Sequence, residues 1–122
     1  MDHSQGFLKI VDAARTGVRE VTVHYVNASL GNGASLVLVD VREDREWALG
    51  HVTGAEHIGK GIIERDIEAR IPEKATEVVL YCGGGYRSVL AAAALAAMGY
   101  TNVASMAGGW RAWNEAGYPV DL

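Results

Sequence analysis

The stretch Val78-Val79-Leu80-Tyr81-Cys82-Gly83-Gly84-Gly85-Tyr86-Arg87-Ser88 decides the reading of this chain. An apolar run leads into the only cysteine, three glycines follow, and Arg87 and Ser88 open an alanine-rich segment. The pattern predicts a buried strand, a tight loop and a helix N-terminus, in that order. Consecutive glycines let backbone N–H groups turn inward, because no Cβ opposes positive φ. N–H groups gathered at a helix start suit an anion. With a thiol at the base of that ring, the donors and the helix dipole favour the thiolate. Cys82 is therefore the candidate nucleophile, and Gly83, Gly84, Gly85, Tyr86, Arg87 and Ser88 are the candidate anion cradle.

Outward from this stretch, apolar runs alternate with helical patterns. Leu36–Val41 is a continuous apolar run that takes its one charge at Asp40, which suits a strand buried on both faces of a parallel sheet. Asp40 then stands at a carboxyl end, where open α/β sheets bind ligands. Glu43–Leu49 reads as a helix with acids in its first turn, stopped by Gly50, and His51–Ile58 as a bend and a brief strand. Ile62–Ile71 carries isoleucines at helical spacing and ends at Pro72. Val89–Met98 is apolar almost all round and so predicts a buried helix. Asn102–Met106 reads as the last strand, followed by a Gly108-Gly109 turn and a helix over Trp110–Ala116. Upstream, Phe7–Arg15 reads as a short amphipathic helix, Glu20–Val23 as a strand and Val26–Leu30 as a helical turn or two. This alternation predicts an α/β domain whose parallel sheet is covered on both faces.

Composition narrows the function. The 122 residues fit one domain, with 49% hydrophobic and 21% charged residues, ordinary values for a globular protein. A net charge of −4 and a pI near 5.5 argue against nucleic acid or an anionic membrane as the main partner. The first residues lack the basic-then-apolar pattern of a secretory signal. The longest apolar run is roughly half of a membrane span. One cysteine makes no internal disulfide, so a reducing compartment, the cytoplasm, is expected.

Other chemistries fit less well. A dinucleotide fingerprint would need glycine where Ser88 stands, and a Walker loop needs a Lys-Ser or Lys-Thr pair. His51, Glu56 and His57 lack metal-ligand spacing, so no metal is expected. Arg42, after a strand end, and Lys60, between Gly59 and Gly61, are candidates for binding an anionic donor. Asp40 reads as a loop anchor that accepts bonds from backbone or from Arg87. A strand-end salt bridge between Asp40 and Arg42, and a solvated Lys60, are the simpler alternatives.

Four stretches together resemble the single-domain rhodanese-like sulfurtransferases. They are Leu38-Val39-Asp40-Val41-Arg42-Glu43 with Glu46; Gly50 to Ile58; Val79 to Ser88; and Gly99-Tyr100-Thr101-Asn102-Val103 with Met106-Ala107-Gly108-Gly109-Trp110. Where the family usually has proline after His57-Ile58, this chain has Gly59. The resemblance implies a three-layer α/β/α rhodanese-like domain with a five-stranded parallel sheet over residues 20–122, preceded by a helical extension over 1–19. It further implies that Cys82 carries a persulfide, drawn from a donor such as thiosulfate and passed to cyanide or a thiol, the latter on a small molecule or a thioredoxin-like protein. No metal or organic cofactor is implied. Cysteine phosphatases place the loop arginine one position further from the cysteine, in a loop sized for phosphate, and usually have histidine where Tyr81 stands. A low-turnover persulfide carrier or sensing module, and a phosphatase or arsenate reductase, are the alternative functions.

Overall fold

The computed structural model describes residues 3–122. In chain order the elements are α1 (Gln5–Arg15), β1 (Arg19–Val21), α2 (Val23–Gly31), β2 (Val37–Asp40), α3 (Asp44–Ala48), β3 (His51–Val52), β4 (Glu56–His57), α4 (Ile63–Arg70), β5 (Val78–Tyr81), α5 (Arg87–Ala97), β6 (Val103–Met106), α6 (Gly109–Glu115) and β7 (Val120–Asp121). Five strands pair in parallel in the order β1-β6-β5-β2-β4. This is the α/β architecture expected from the alternating pattern.

Side chains on the central strand β5 alternate between two cores. Val78, Leu80 and Cys82 join Ile63 and Ile67 of α4 and Ala91, Ala92 and Leu95 of α5. Val79 and Tyr81 join Val23 and Val26 of α2 and Trp113 of α6. A strand with helices on both faces has no polar face, which is why all four β5 residues are apolar and fully buried. The alternation also puts the Cys82 side chain on the α4–α5 face. Helix α1 packs along α5 and buries Val11 completely.

The chain leaves β2 toward β4 on one side of the sheet and leaves β5 toward β6 on the other. The carboxyl ends of β2 and β5 therefore flank the crevice where such sheets bind ligands. At the β2 end, Asp40 and Arg42 are 0% and 3% exposed. The Arg42 backbone N–H donates to Asp40 at 2.9 Å, and its guanidinium donates Nε at 3.1 Å and Nη2 at 2.8 Å. Nη2 also donates to the Gly50 carbonyl at 2.7 Å, and the guanidinium lies 4.6 Å from the Trp110 ring centre. Burial works against this cation, but the bonds and charge of Asp40 outweigh it, so its pKa lies above the ordinary arginine value. The pair ties the β2 end to the chain entering β3.

Three features differ from the sequence reading. The strand expected over Glu20–Val23 ends at Val21, because Thr22 caps α2 by accepting the Tyr25 N–H and Val23 opens that helix. The chain's last strand is β7, not β6: Val120 pairs antiparallel with Val52 in a separate two-stranded sheet. Two-residue strands carry too little periodicity to be seen in advance. Asp40 accepts a backbone N–H, that of Arg42, as expected of a loop anchor, but its charged partner is Arg42 and not Arg87. Replacing Asp40 by alanine would leave Arg42 buried and unpaired. Asp40→Ala is expected to lose about 3–5 kcal/mol of stability, read by urea denaturation.

Candidate active site

Cys82 follows the last residue of β5 and is 1% exposed. The Gly85 N–H points at its Sγ from 3.2 Å and the Ser88 N–H from 3.4 Å, and Ser88 Oγ lies 3.5 Å away. The N–H groups of Gly83, Gly84 and Tyr86 have no protein acceptor among the described residues. The reason for this orientation lies outside the loop. Trp110 and Arg111 at the start of α6 donate their N–H groups to the carbonyls of Cys82 at 2.8 Å and Gly83 at 3.0 Å. With those carbonyls held toward α6, the amide hydrogens on the opposite edges of the same peptides face the other way.

Two glycines make the contact possible. Gly85 turns the loop at φ 97°, and a Cβ there would stand 3.0 Å from the Gly108 nitrogen. Gly109 has φ 52°, and a Cβ there would collide with the Cys82 carbonyl oxygen. The Gly108-Gly109 pair is therefore the contact surface that α6 offers to the cysteine loop.

Arg87 does not point at the sulfur. Its guanidinium forks onto Glu46, Nη1 to Oε1 at 2.8 Å and Nη2 to Oε2 at 3.1 Å. Glu46 closes a capping box with Glu43 at the start of α3, and accepts the Glu43 backbone N–H at 3.0 Å. The hydrogen bonds from Arg87 hold the Glu46 carboxyl down at about 2, and the same bonds raise the Arg87 pKa. A Cβ on Gly83 would stand 3.1 Å from Arg87 Nη2, so the guanidinium lies across the loop.

The structure thus points the N–H groups of Gly85 and Ser88 at Cys82, turns Arg87 onto Glu46, and sets Asp40 and Arg42 as a buried ion pair at the end of the neighbouring strand β2. Lys60 is half-buried. Its backbone N–H donates to Val41, and its side chain has no hydrogen bond or ion pair among the described residues. Sequence reasoning assigned no role to four contributors. Glu46 and the Gly108-Gly109 turn lay within the quoted motifs, but their contacts join segments far apart in the chain. Ser105, whose Oγ lies 2.8 Å from Ser88 Oγ, carried no signal in a strand of otherwise apolar residues. Helix α1 and the residues before it reach the loop at Tyr86. The His3 ring centre lies 4.4 Å and the Phe7 ring centre 6.3 Å from the Tyr86 ring, with the Arg15 guanidinium 5.5 Å from it.

The model of the rhodanese-like domain family matches residues 22–116. This chain belongs to the rhodanese-like domain family. Among curated proteins, thiosulfate sulfurtransferase GlpE of Pseudomonas fluorescens is 35% identical over 86 residues, 70% of this chain and 76% of that protein. The probable adenylyltransferase/sulfurtransferase MoeZ of Mycobacterium tuberculosis is 37% identical over 91 residues, 74% of this chain but only 23% of that protein's length. Among solved structures, a Rhodopseudomonas palustris protein titled as of unknown function and a possible tyrosine phosphatase aligns with TM-score 0.89 at 30% identity, covering 99% of this chain and 98% of its own. A thiosulfate sulfurtransferase from Pseudomonas aeruginosa aligns with TM-score 0.78 at 32% identity over 84% of this chain and 20% of its own. No helix among the described residues of this rhodanese-like chain is long and apolar enough to cross a membrane.

Two outcomes follow from the contacts around the loop. Gly109→Ala forces a side chain into a left-handed conformation and against the Cys82 carbonyl. The variant is expected to lose at least about 1–2 kcal/mol in urea denaturation, with the alkylation rate of Cys82 altered in the folded protein. Glu46 has a folded pKa of about 2 against an ordinary value of 4.5, so its stabilisation is complete above pH 4.5 and lost as pH falls toward 2. Glu46→Gln is expected to cost about 1 kcal/mol at neutral pH and to flatten the stability-against-pH curve across that acid interval.

Proposed function

We propose that this protein is a sulfurtransferase in which Cys82 carries sulfur as a persulfide. The observation that carries the reading is the pair of amides, Gly85 and Ser88, aimed at Sγ, in a loop whose Gly83, Gly84 and Tyr86 amides have no protein acceptor among the described residues. Such a pair stabilises a charge that develops on sulfur, with its donors already oriented before reaction. Membership of the rhodanese-like family and similarity to the sulfurtransferases GlpE and MoeZ support the same chemistry.

The reaction is a double displacement. The Cys82 thiolate attacks the outer sulfur of thiosulfate; a new S–S bond forms, the old one breaks, and sulfite departs with the electron pair. The persulfide left on Cys82 bears its charge on the outer sulfur, within reach of the loop amides. An acceptor thiolate, from a small thiol or a thioredoxin-like protein, then attacks that outer sulfur and expels the Cys82 thiolate. A reducing compartment such as the cytoplasm would keep the sole thiol available.

A second reading, phosphoryl-ester hydrolysis, draws on the description of the Rhodopseudomonas palustris neighbour as a possible tyrosine phosphatase. Two features weigh against it. Arg87 stands five positions after Cys82 in a short loop, and its guanidinium is already engaged by Glu46. Arg87 is therefore not held free for a phosphoryl group, although the Arg111 guanidinium lies beside Gly84 with no carboxylate partner among the described residues.

Intact mass after incubation with thiosulfate separates the readings. The expected result is a gain of one sulfur atom on Cys82, removed by a dithiol, and no gain in Cys82→Ser. Turnover of an aryl phosphate that depends on Cys82, with no sulfur gained, would replace this function by the second. A persulfide that forms slowly from thiosulfate but exchanges fast with a protein thiol would mark a carrier.

A further inference from the structure

Two serine hydroxyls lie buried behind the cysteine. Ser88 and Ser105 are both 0% exposed, and their Oγ atoms are 2.8 Å apart. Ser88 Oγ lies 3.5 Å from Cys82 Sγ, and Ser105 Oγ has no second partner among the described residues. Ser105 sits on β6 opposite Leu80 of β5, between the buried Ala104 and Met106. A hydroxyl there is costly to bury without a partner.

The line Ser105–Ser88–Cys82 has a direction. If Cys82 is a thiol and donates to Ser88, Ser88 donates to Ser105, and the Ser105 hydrogen has no acceptor. If the line runs the other way, it ends on a neutral sulfur, which is a weak acceptor, and the S–H is left over. Only with an ionised Cys82 is every hydrogen placed. Ser105 then donates to Ser88 and Ser88 donates to the thiolate, the last bond strengthened by the charge.

We propose that Ser105 is a positioning residue for the Cys82 nucleophile: it turns the Ser88 hydroxyl hydrogen toward Sγ and so favours the ionised sulfur. The same bond assists departure of the Cys82 thiolate when sulfur is handed on. The proposal rests on the reading of Cys82 as nucleophile given above. The charged groups facing the cysteine from its neighbours are Arg87 with Glu46 of α3, the Asp40–Arg42 pair at the end of β2, and Arg111 of α6 beside Gly84. None of them bonds to Ser105, so a change there reads the hydroxyl line alone.

The test follows the rate of Cys82 alkylation by iodoacetamide against pH in the full chain. In Ser105→Ala the midpoint of that curve is expected to rise by roughly half to one pH unit, slowing alkylation below it about three- to tenfold. Ser105→Thr, which keeps a hydroxyl, is expected to follow the unsubstituted protein. Persulfide formation from thiosulfate in Ser105→Ala should slow at neutral pH and recover at alkaline pH. A midpoint unchanged in folded Ser105→Ala, or shifted equally in Ser105→Thr, would overturn the proposal. If Ser105→Ala does not fold, Ser105→Thr against Ser105→Val, near-isosteres that differ in the hydroxyl, makes the same comparison. Alkylation needs no sulfur donor. Failure of thiosulfate to load Cys82 would therefore count against the sulfurtransferase reading and leave the Ser105 result standing.

Discussion

The grip of α6 on the cysteine loop is the constraint from which the site follows. Trp110 and Arg111 donate to the carbonyls of Cys82 and Gly83. A peptide unit is planar, and its carbonyl and N–H point in opposite directions. Drawing the carbonyls toward α6 therefore turns the Gly83 and Gly84 amides away from that helix. The first N–H groups of a helix lack partners within the helix, so α6 has donors to spare at that end. Close approach requires glycine at position 109, where any Cβ would strike the Cys82 carbonyl. The surroundings of the sulfur thus draw on two helix starts: Ser88 in the first turn of α5 points its N–H at Sγ beside that of Gly85, and α6 holds the loop between them and the strand.

Two of the three arginines at the site already have a carboxylate; the guanidinium of the third, Arg111, lies beside Gly84. Arg42 is sealed against Asp40 beneath Trp110. Arg87 is half-buried and forks onto Glu46. Pairing Arg87 fixes α3 to the first turn of α5, so the loop is anchored on three sides, by α3, α6 and the strand that carries Cys82. On the remaining side the Tyr86 ring meets His3, Phe7 and Arg15. The segment ahead of the family match is in this way part of the surroundings of the cysteine loop.

Much of this was legible from the chain alone, and for identifiable reasons. Val78–Tyr81 is buried on both faces, so its sequence is uniformly apolar and reads as a central strand. The three glycines announce a loop whose backbone must turn unusually, and Gly85 at φ 97° uses that freedom. The acids at the start of α3 mark its N-terminus because they cap it, as the Glu43–Glu46 box does. Each of these is a local preference, and local preferences are written in consecutive residues.

What the tertiary structure decided is which distant groups meet. Glu46 and Arg87 are 41 positions apart, and Ser88 and Ser105 are 17 apart. Nothing in the spacing of either pair distinguishes partners from solvated side chains. The pairing of Val52 with Val120 and the placing of Gly109 under the Cys82 carbonyl are likewise set by how the layers close on one another. The sequence by itself determined the strand, the loop and the thiol, because those depend on backbone freedom and on burial along a short segment. The direction in which the loop amides point, and the carboxylate that claims Arg87, were decided only when separate helices packed against the same strand end.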